Sequence, residues 1–197
     1  MPHIQQKTAR VFAGLLSLVL LLSGCNANPP ENANPIAEES TTALTFTDAL
    51  DNLVTVNRPQ RVVAVLGSFA EAWTQAGGQL VGVTDDTVNE RHMELGKDIV
   101  LLGGTKNPSL EEIFSLSPDF VILSKDIGGH IELYEALRQA DIPAAVFHVD
   151  RLEEYLHLMD IFTQITGQRA LYENIALPAK LQAEETIAAC KGKQPPT

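Results

Sequence analysis

Cysteine is scarce in this chain: Cys25 and Cys190 are the only two among 197 residues. Two thiols are too few for a disulfide framework or for a zinc site built from cysteines. Basic residues are also few, with 14 Lys and Arg against 25 Asp and Glu, which gives a net charge of −11. Because this charge repels phosphate backbones, the composition argues against a nucleic-acid partner.

The motifs of two enzyme classes are missing as well. Leu66-Gly67-Ser68-Phe69-Ala70 is not the Gly-x-Ser-x-Gly elbow of a serine hydrolase. Gly103-Gly104-Thr105-Lys106 lacks the spacing of a phosphate-binding loop. His92, His130 and His148 match no compact metal motif, although they keep a metal or haem ligand open as an alternative. The sequence therefore predicts no catalytic residue, no protein metal site and no cofactor, and a lipoprotein hydrolase is the weakest alternative.

Residues 1–24 have the features of a secretory signal peptide. Lys7 and Arg10 precede an apolar run of 12 residues, Val11–Leu22. A helix needs about 20 residues to cross a bilayer, so this run fits the hydrophobic region of a signal peptide instead. Leu22-Ser23-Gly24-Cys25 resembles a bacterial lipobox. The resemblance implies cleavage before Cys25, lipidation of its sulfur, acylation of its new amino group and an extracytoplasmic protein anchored in the cell membrane.

A flexible tether is predicted to follow the anchor, over residues 25–43. From Asn26 to Ala43 the composition is rich in Asn, Pro and Glu and has few large apolar residues. Such a segment cannot bury enough apolar surface to fold, so it is expected to stay extended and solvated.

Residues 44–167 are predicted to form an α/β lobe. Two alternating stretches, Leu44–Thr47 and Leu53–Val56, indicate a hairpin. Short apolar runs then alternate with helical segments, a pattern that predicts a three-layer, Rossmann-like parallel sheet with helices on both faces. The predicted strands are Val62–Leu66, Leu80–Val83, Phe120–Leu123 and Ala144–Val149, with a weaker one at Ile99–Leu102.

The predicted helices carry local start and stop signals. Three capping pairs, each a capping residue three positions before a glutamate, mark helix starts: Ser68 with Glu71, Ser109 with Glu112, and Asp150 with Glu153. A long helical tract, Arg169–Lys191, lies within residues 168–194, and Pro178 is expected to kink or divide it.

The ligand edge follows from the predicted sheet. Loops at the carboxyl ends of parallel strands share one edge, and ligands bind in the crevice there. Helix amino ends and basic side chains at this edge favour an anionic ligand. The candidate binding residues are Gly67, Ser68, Phe69, Arg91, Lys106, Lys125, Asp126 and His130.

An ordered set of short motifs resembles one transport family. The motifs are Thr45-Phe46-Thr47-Asp48, Val54-Thr55-Val56, Pro59-Gln60-Arg61-Val62-Val63, Gly82-Val83-Thr84, Leu102-Gly103, Pro108-Ser109-Leu110-Glu111, Ser117-Pro118-Asp119-Phe120-Val121-Ile122 and Ala140-Asp141-Ile142-Pro143. With the lipobox, this set is similar to the iron-siderophore, haem and cobalamin class of ABC-transporter substrate-binding lipoproteins. One departure is Asp51-Asn52, where the family usually has a glycine.

The resemblance implies a monomer of two α/β lobes joined by a long helix, with the ligand held between the lobes. This chain matches the first lobe and the interlobe helix, so residues 195–197 are expected to begin a second lobe that the chain lacks. A ferric siderophore is the first choice of ligand, ahead of haem and cobalamin, and an ABC permease with its ATPase is the expected partner. Glu111 holds the place of the family's permease-docking glutamate. A truncated interaction module without transport is the main alternative.

Overall fold

The computed structural model of the protein describes residues 43–191. The signal peptide, Cys25, the tether up to residue 42 and residues 192–197 lie outside the described residues. The helices are α1 (Gly67–Gln75), α2 (Asp86–Asn89), α3 (Leu110–Ser115), α4 (Gly128–Gln139), α5 (Leu152–Thr166), α6 (Arg169–Leu171) and α7 (Leu177–Cys190). The strands are β1 (Leu44–Thr47), β2 (Leu53–Val56), β3 (Val62–Ala64), β4 (Leu80–Val83), β5 (Val100–Leu101), β6 (Phe120–Ser124) and β7 (Ala144–Phe147).

The predicted hairpin is confirmed, and its turn is attached to the main sheet. Strands β1 and β2 pair antiparallel, with Leu44 opposite Val56. The carboxylate of Asp48, which is 5% exposed, accepts hydrogen bonds from the backbone N–H groups of Leu50 and Asn52 at 2.9 Å and of Val146 at 3.3 Å. The N–H of Ala49 donates to the carbonyl of Val146 at 2.8 Å. The turn therefore pairs with part of β7, whose outer edge would otherwise offer unpaired backbone groups.

The main sheet has five parallel strands in the order β5-β4-β3-β6-β7. All residues of β3, β6 and β7 are buried, which explains their nearly continuous apolar sequence. The chain order runs outward from β3 in one direction and then from β6 in the other. The loops after β3 and β6 therefore diverge, and a crevice forms at this switch point.

Helices cover both faces of the sheet, as the predicted three-layer architecture requires. Alternate residues of β3 and β6 pack into two separate cores because successive side chains of a strand point to opposite faces. On one face Trp73 of α1 meets Phe162 of α5 edge to face, with ring centroids 5.1 Å apart. On the other face Ile113 of α3 and Leu137 of α4 are fully buried. The Rossmann-like lobe predicted from the sequence is confirmed.

Of the three predicted capping pairs, only that of Ser109 is confirmed. Its hydroxyl accepts a hydrogen bond from the N–H of Glu112 at 3.3 Å. Ser68 lies inside the first turn of α1, whose N-cap is Leu66, so the predicted cap there is wrong. At α5 the cap is Arg151 rather than Asp150, and the carboxylate of Glu154 accepts from both backbone N–H groups. Local capping signals placed these two helix starts one or two residues from their true positions.

The helical tract that follows α5 keeps helical backbone angles through Pro178, and its hydrogen-bond register changes just before this proline. Helix α6 runs into a π-helical turn, Tyr172–Ala176, before α7 begins at Leu177. Proline has no N–H to donate to the fourth preceding carbonyl, which favours a change of helical register just before it. Among the residues that the structure describes, no residue of α7 is buried. Within 43–191 no helix has both the length and the apolar character needed to span a membrane.

Candidate functional site

A cavity of about 370 Å³ lies at the switch point of the sheet. Its walls come from α1, the loop after β6, the first half of α5 and the loops that carry Arg91 and Val149. Four of the predicted binding residues line it: Ser68, Phe69, Arg91 and Asp126. The other lining residues are Leu66, Glu71, Ala72, Gln75, Ser124, Ile127, Val149, Tyr155 and Leu158. The position agrees with the edge predicted from topology.

Gly67 lies in the chain between the lining residues Leu66 and Ser68 but does not itself line the cavity. A Cβ at this position would lie 2.8 Å from the backbone nitrogen of Thr87 and 2.9 Å from Cγ of Arg91, so only glycine fits. Its N–H donates to Oδ2 of Asp86 at 2.7 Å, and the hydroxyl of Thr84 donates to Oδ1 of the same carboxylate at 2.7 Å. The protein's own carboxylate therefore already accepts from the first N–H of α1.

The three cations expected at this edge are separated in the structure. The Nε and Nη2 atoms of Arg91 both donate to Oε2 of Glu71, the former at 2.8 Å. The Nζ of Lys125 donates to the carbonyl of Ala49 at 3.1 Å and so supports the hairpin turn. Lys106 lines two other clefts, beside α4 and beside α2. Of these predicted anion-binding residues, only Arg91 reaches the cavity.

His130 is fully buried and is not among the residues that line the cavity. The N–H of Ser124 donates to Nδ1 at 3.0 Å, and Nε2 lies 2.8 Å from the carbonyl oxygen of Thr105. These partners require a neutral ring with its proton on Nε2. Burial lowers the pKa of His130, which favours the same neutral form. The ring ties the loop after β5 to the end of β6.

Gly129, the residue before His130, also packs closely against the loop after β5. A Cβ at Gly129 would lie 2.2 Å from the carbonyl oxygen of Lys106. The loop after β5 therefore packs directly on the first turn of α4, and His130 holds it in that position. This brings two of the loops predicted to form the ligand edge into one rigid unit.

A second histidine, His148, is half-buried and contacts Asp126, which lines the cavity. Nδ1 of His148 is 2.9 Å from Oδ1 of Asp126, and Nε2 is 3.3 Å from Oδ2 of Asp150. The hydrogen bond with Asp126 raises the pKa of His148. Within residues 43–191, these side chains form the one group of three His, Cys, Asp or Glu close enough to share a metal ion. Because both ring nitrogens already face carboxylates, the contacts suit an imidazolium that donates to each of them.

Sequence reasoning missed Glu71, Gln75 and Tyr155 as parts of the cavity. The first two follow Ser68 at helical spacing, so they share its face of α1, and that spacing was the available signal. By helical spacing Tyr155 shares a face of α5 with Leu152, Leu156 and Phe162, which predicts a packing role. The structure places it half-buried at the cavity, with its hydroxyl donating to Oε1 of Gln75 at 3.4 Å. Burial, together with the charge of Glu71, raises the pKa of Tyr155.

The lining groups suit reversible binding of a ligand. Apolar side chains form the floor, where Phe69 is 4% exposed and packs edge to face on Phe147. Hydroxyl, amide and charged groups surround that floor and can orient a ligand by hydrogen bonds. The fold and this cavity together define an α/β lobe with a candidate ligand site at the carboxyl edge of its sheet.

Comparison with curated proteins finds relatives that bind ferric chelates, although no family model matches the chain. The Fe(3+)-citrate-binding protein YfmC of Bacillus subtilis is 28% identical over 189 residues, which are 90% of this chain and 58% of that protein. The ferric-anguibactin-binding protein FatB of Vibrio anguillarum is 28% identical over 151 residues, 75% of this chain and 45% of that protein. The chain therefore spans about half the length of the curated relatives that it matches.

Solved structures confirm the fold. The periplasmic catecholate-siderophore binding protein VctP of Vibrio cholerae superposes with a TM-score of 0.65 at 18% identity, over 76% of this chain and 55% of that one. Coverage of about half of the solved chain fits a single lobe. The predicted resemblance is confirmed: the relatives include ferric-chelate-binding proteins, and the described fold is that of one lobe of a periplasmic binding protein.

Proposed function

We propose that this chain carries the ligand-binding lobe of an extracytoplasmic substrate-binding component of an ABC importer. Its ligand is a ferric siderophore-type chelate, which it delivers to a membrane permease and its ATPase. The observation that carries the proposal is the cavity at the switch point of the sheet, where this fold places its ligands. Relatives named for ferric citrate and ferric anguibactin support iron chelates ahead of haem or cobalamin.

Ligand binding is tested most directly with the single tryptophan. Trp73 lies next along the chain to Ala72, which lines the cavity, so a bound ferric chelate should quench its fluorescence. We expect the chain to bind at least one of a panel of ferric hydroxamate, ferric citrate, ferric catecholate, haemin and cobalamin, with a ferric chelate bound most tightly. Binding of none of them would contradict the proposed function.

A bulky side chain at Ser68 should close the cavity. Ser68 is exposed in the first turn of α1 and lines the cavity, so Ser68→Phe is expected to weaken chelate binding by about tenfold or more, equivalent to about 1.4 kcal/mol. Ser115→Phe, at an exposed position in the last turn of α3, is the matched control and should bind normally. Equal affinity in the two variants would place the ligand elsewhere.

Docking to the permease is proposed for Glu111. This glutamate is exposed in the first turn of α3, one turn before Phe114, which is 38% exposed. The pair therefore presents a carboxylate beside an apolar ring, a combination suited to an arginine-bearing partner. Glu111→Arg should reduce uptake of radioactive iron by cells by about tenfold and leave chelate affinity unchanged. Glu185→Arg, at an exposed position on α7, controls for the charge reversal, and normal uptake by the Glu111 variant would contradict the assignment.

Membrane attachment is proposed through Cys25, which lies outside the described residues. If its sulfur carries the lipid, Cys25→Ala should abolish metabolic labelling with fatty acid and leave an unprocessed precursor. Cys190, the other thiol, is exposed at the end of α7, and Cys190→Ala should retain full labelling. Labelling that survives in the Cys25 variant would remove the lipoprotein assignment.

A further inference from the structure

The cavity at the switch point has an unusual charge balance for a site expected to take an anion. Arg91 is the one cation among its lining residues, which also include the carboxylates of Glu71 and Asp126. Of the other two cations predicted for this edge, Lys125 is bonded to the hairpin turn. Lys106 lines two other clefts, one of which shares Leu66 and Ile127 with the cavity. Among the lining residues, therefore, no cation is left without a carboxylate partner.

The pairing of Arg91 with Glu71 is fixed by the surrounding backbone. The arginine side chain crosses directly above Gly67, where its Cγ is within 2.9 Å of the position that a Cβ would occupy. Beyond that point Nε and Nη2 both donate to Oε2 of Glu71, which stands one turn after Ser68 on α1. The guanidinium face best suited to clamp a ligand oxygen is therefore already occupied by a side chain of the protein.

The charge of a ferric chelate depends on its iron-binding groups. A hydroxamate contributes one negative charge and a catecholate two. Three hydroxamates around Fe³⁺ therefore give a neutral complex, whereas three catecholates leave three negative charges. The fold alone does not decide between them, since VctP, which shares this fold, is named for catecholate siderophores. Selectivity between hydroxamate and catecholate chelates must therefore come from side chains in the cavity.

We propose that Glu71 is a specificity-determining residue that makes the cavity select neutral or cationic ferric chelates, such as trihydroxamates, over strongly anionic ones, such as tris-catecholates. The inference rests on the proposed function, because it concerns the same cavity. Glu71 acts in two ways: its charge repels an anionic chelate, and its bond to Arg91 withholds the cation that would attract one.

The test compares two hexadentate probes of different charge, ferrichrome and ferric enterobactin, by quenching of Trp73. The wild-type chain should bind the neutral ferrichrome at least about tenfold more tightly. Glu71→Gln keeps the size of the side chain but leaves the guanidinium charge uncompensated. Affinity for the tris-catecholate should therefore rise about tenfold, whereas affinity for the hydroxamate should stay within about twofold of the wild-type value. The gain should shrink as salt is raised from low to about 1 M, because screening weakens charge interactions.

Glu132→Gln supplies the matched control. It removes one negative charge from an exposed position on α4, outside the switch-point cavity, and should change neither affinity. Tighter wild-type binding of ferric enterobactin than of ferrichrome, or an unchanged catecholate affinity in Glu71→Gln, would overturn the inference while the proposed function stands. Binding of neither these probes nor any other chelate of the panel would overturn both.

Discussion

Replacing His130 with alanine is expected to lower the free energy of unfolding by about 3–5 kcal/mol. The ring is fully buried and makes two hydrogen bonds, to the N–H of Ser124 and to the carbonyl of Thr105. Alanine would leave both backbone groups without a partner and open a cavity the size of the ring. Chemical denaturation followed by Trp73 fluorescence measures the loss, and an unchanged midpoint in His130→Ala would show that the ring does not hold the two loops together.

Two further variants separate the packing of the ring from its hydrogen bonds. His130→Phe fills the site but cannot accept from Ser124 or donate to Thr105, so it should recover the packing and lose the polar contribution. His157→Ala, at an exposed position on α5, should change stability by less than about 0.5 kcal/mol. If His157→Ala lowered the free energy of unfolding as much as His130→Ala, the loss would reflect a general sensitivity of the lobe to histidine replacement and not the buried contacts of His130.

The same residue should make the lobe sensitive to mild acid. The unfolded chain binds a proton at the ordinary histidine pKa of 6.5, whereas burial holds the pKa of folded His130 below that value. The contribution of the neutral ring is therefore complete above pH 6.5 and is lost as the pH falls through the folded pKa. His148, whose pKa is raised, acts in the opposite direction. Denaturation midpoints from pH 7.5 to 5 should consequently fall more steeply in the wild-type chain than in His130→Phe.

Replacing Asp48 with alanine is expected to cost about 3–5 kcal/mol of stability, again through unsatisfied backbone groups. The buried carboxylate accepts hydrogen bonds from the N–H groups of Leu50, Asn52 and Val146. Without it the hairpin turn loses its internal support and one of its two hydrogen bonds to Val146 of β7. Thermal denaturation should show a lower midpoint.

Two further variants test whether the hydrogen bonds of the Asp48 carboxylate cause this loss of stability. Asp48→Asn keeps one acceptor oxygen and should lose clearly less stability than the alanine variant. Asp98→Ala, at an exposed position, controls for removal of a carboxylate. If Asp48→Ala proved no more harmful than Asp98→Ala, the carboxylate would have no part in joining the hairpin to the sheet.

Much of the fold could be predicted because its signals are local. The bounds of β1, β2 and β4 agree with the predicted ones residue for residue, and Pro178 marks the place where the helical register changes. Short apolar runs fix buried strands, and their alternation with helical segments fixes a parallel sheet. Once the sheet is parallel, its carboxyl edge must carry the loops that form a crevice, so the general position of the cavity also followed from sequence.

The sequence alone thus determined the α/β lobe, its ligand edge and the resemblance to chelate-binding proteins. Tertiary structure decided what each side chain does there, because the partners lie far apart in the chain. Arg91 meets Glu71 across 20 positions, His130 meets Thr105 across 25 and Lys125 meets Ala49 across 76. The sequence gives the charge of each side chain. Whether that charge is available to a ligand depends on which distant group the fold places in contact with it.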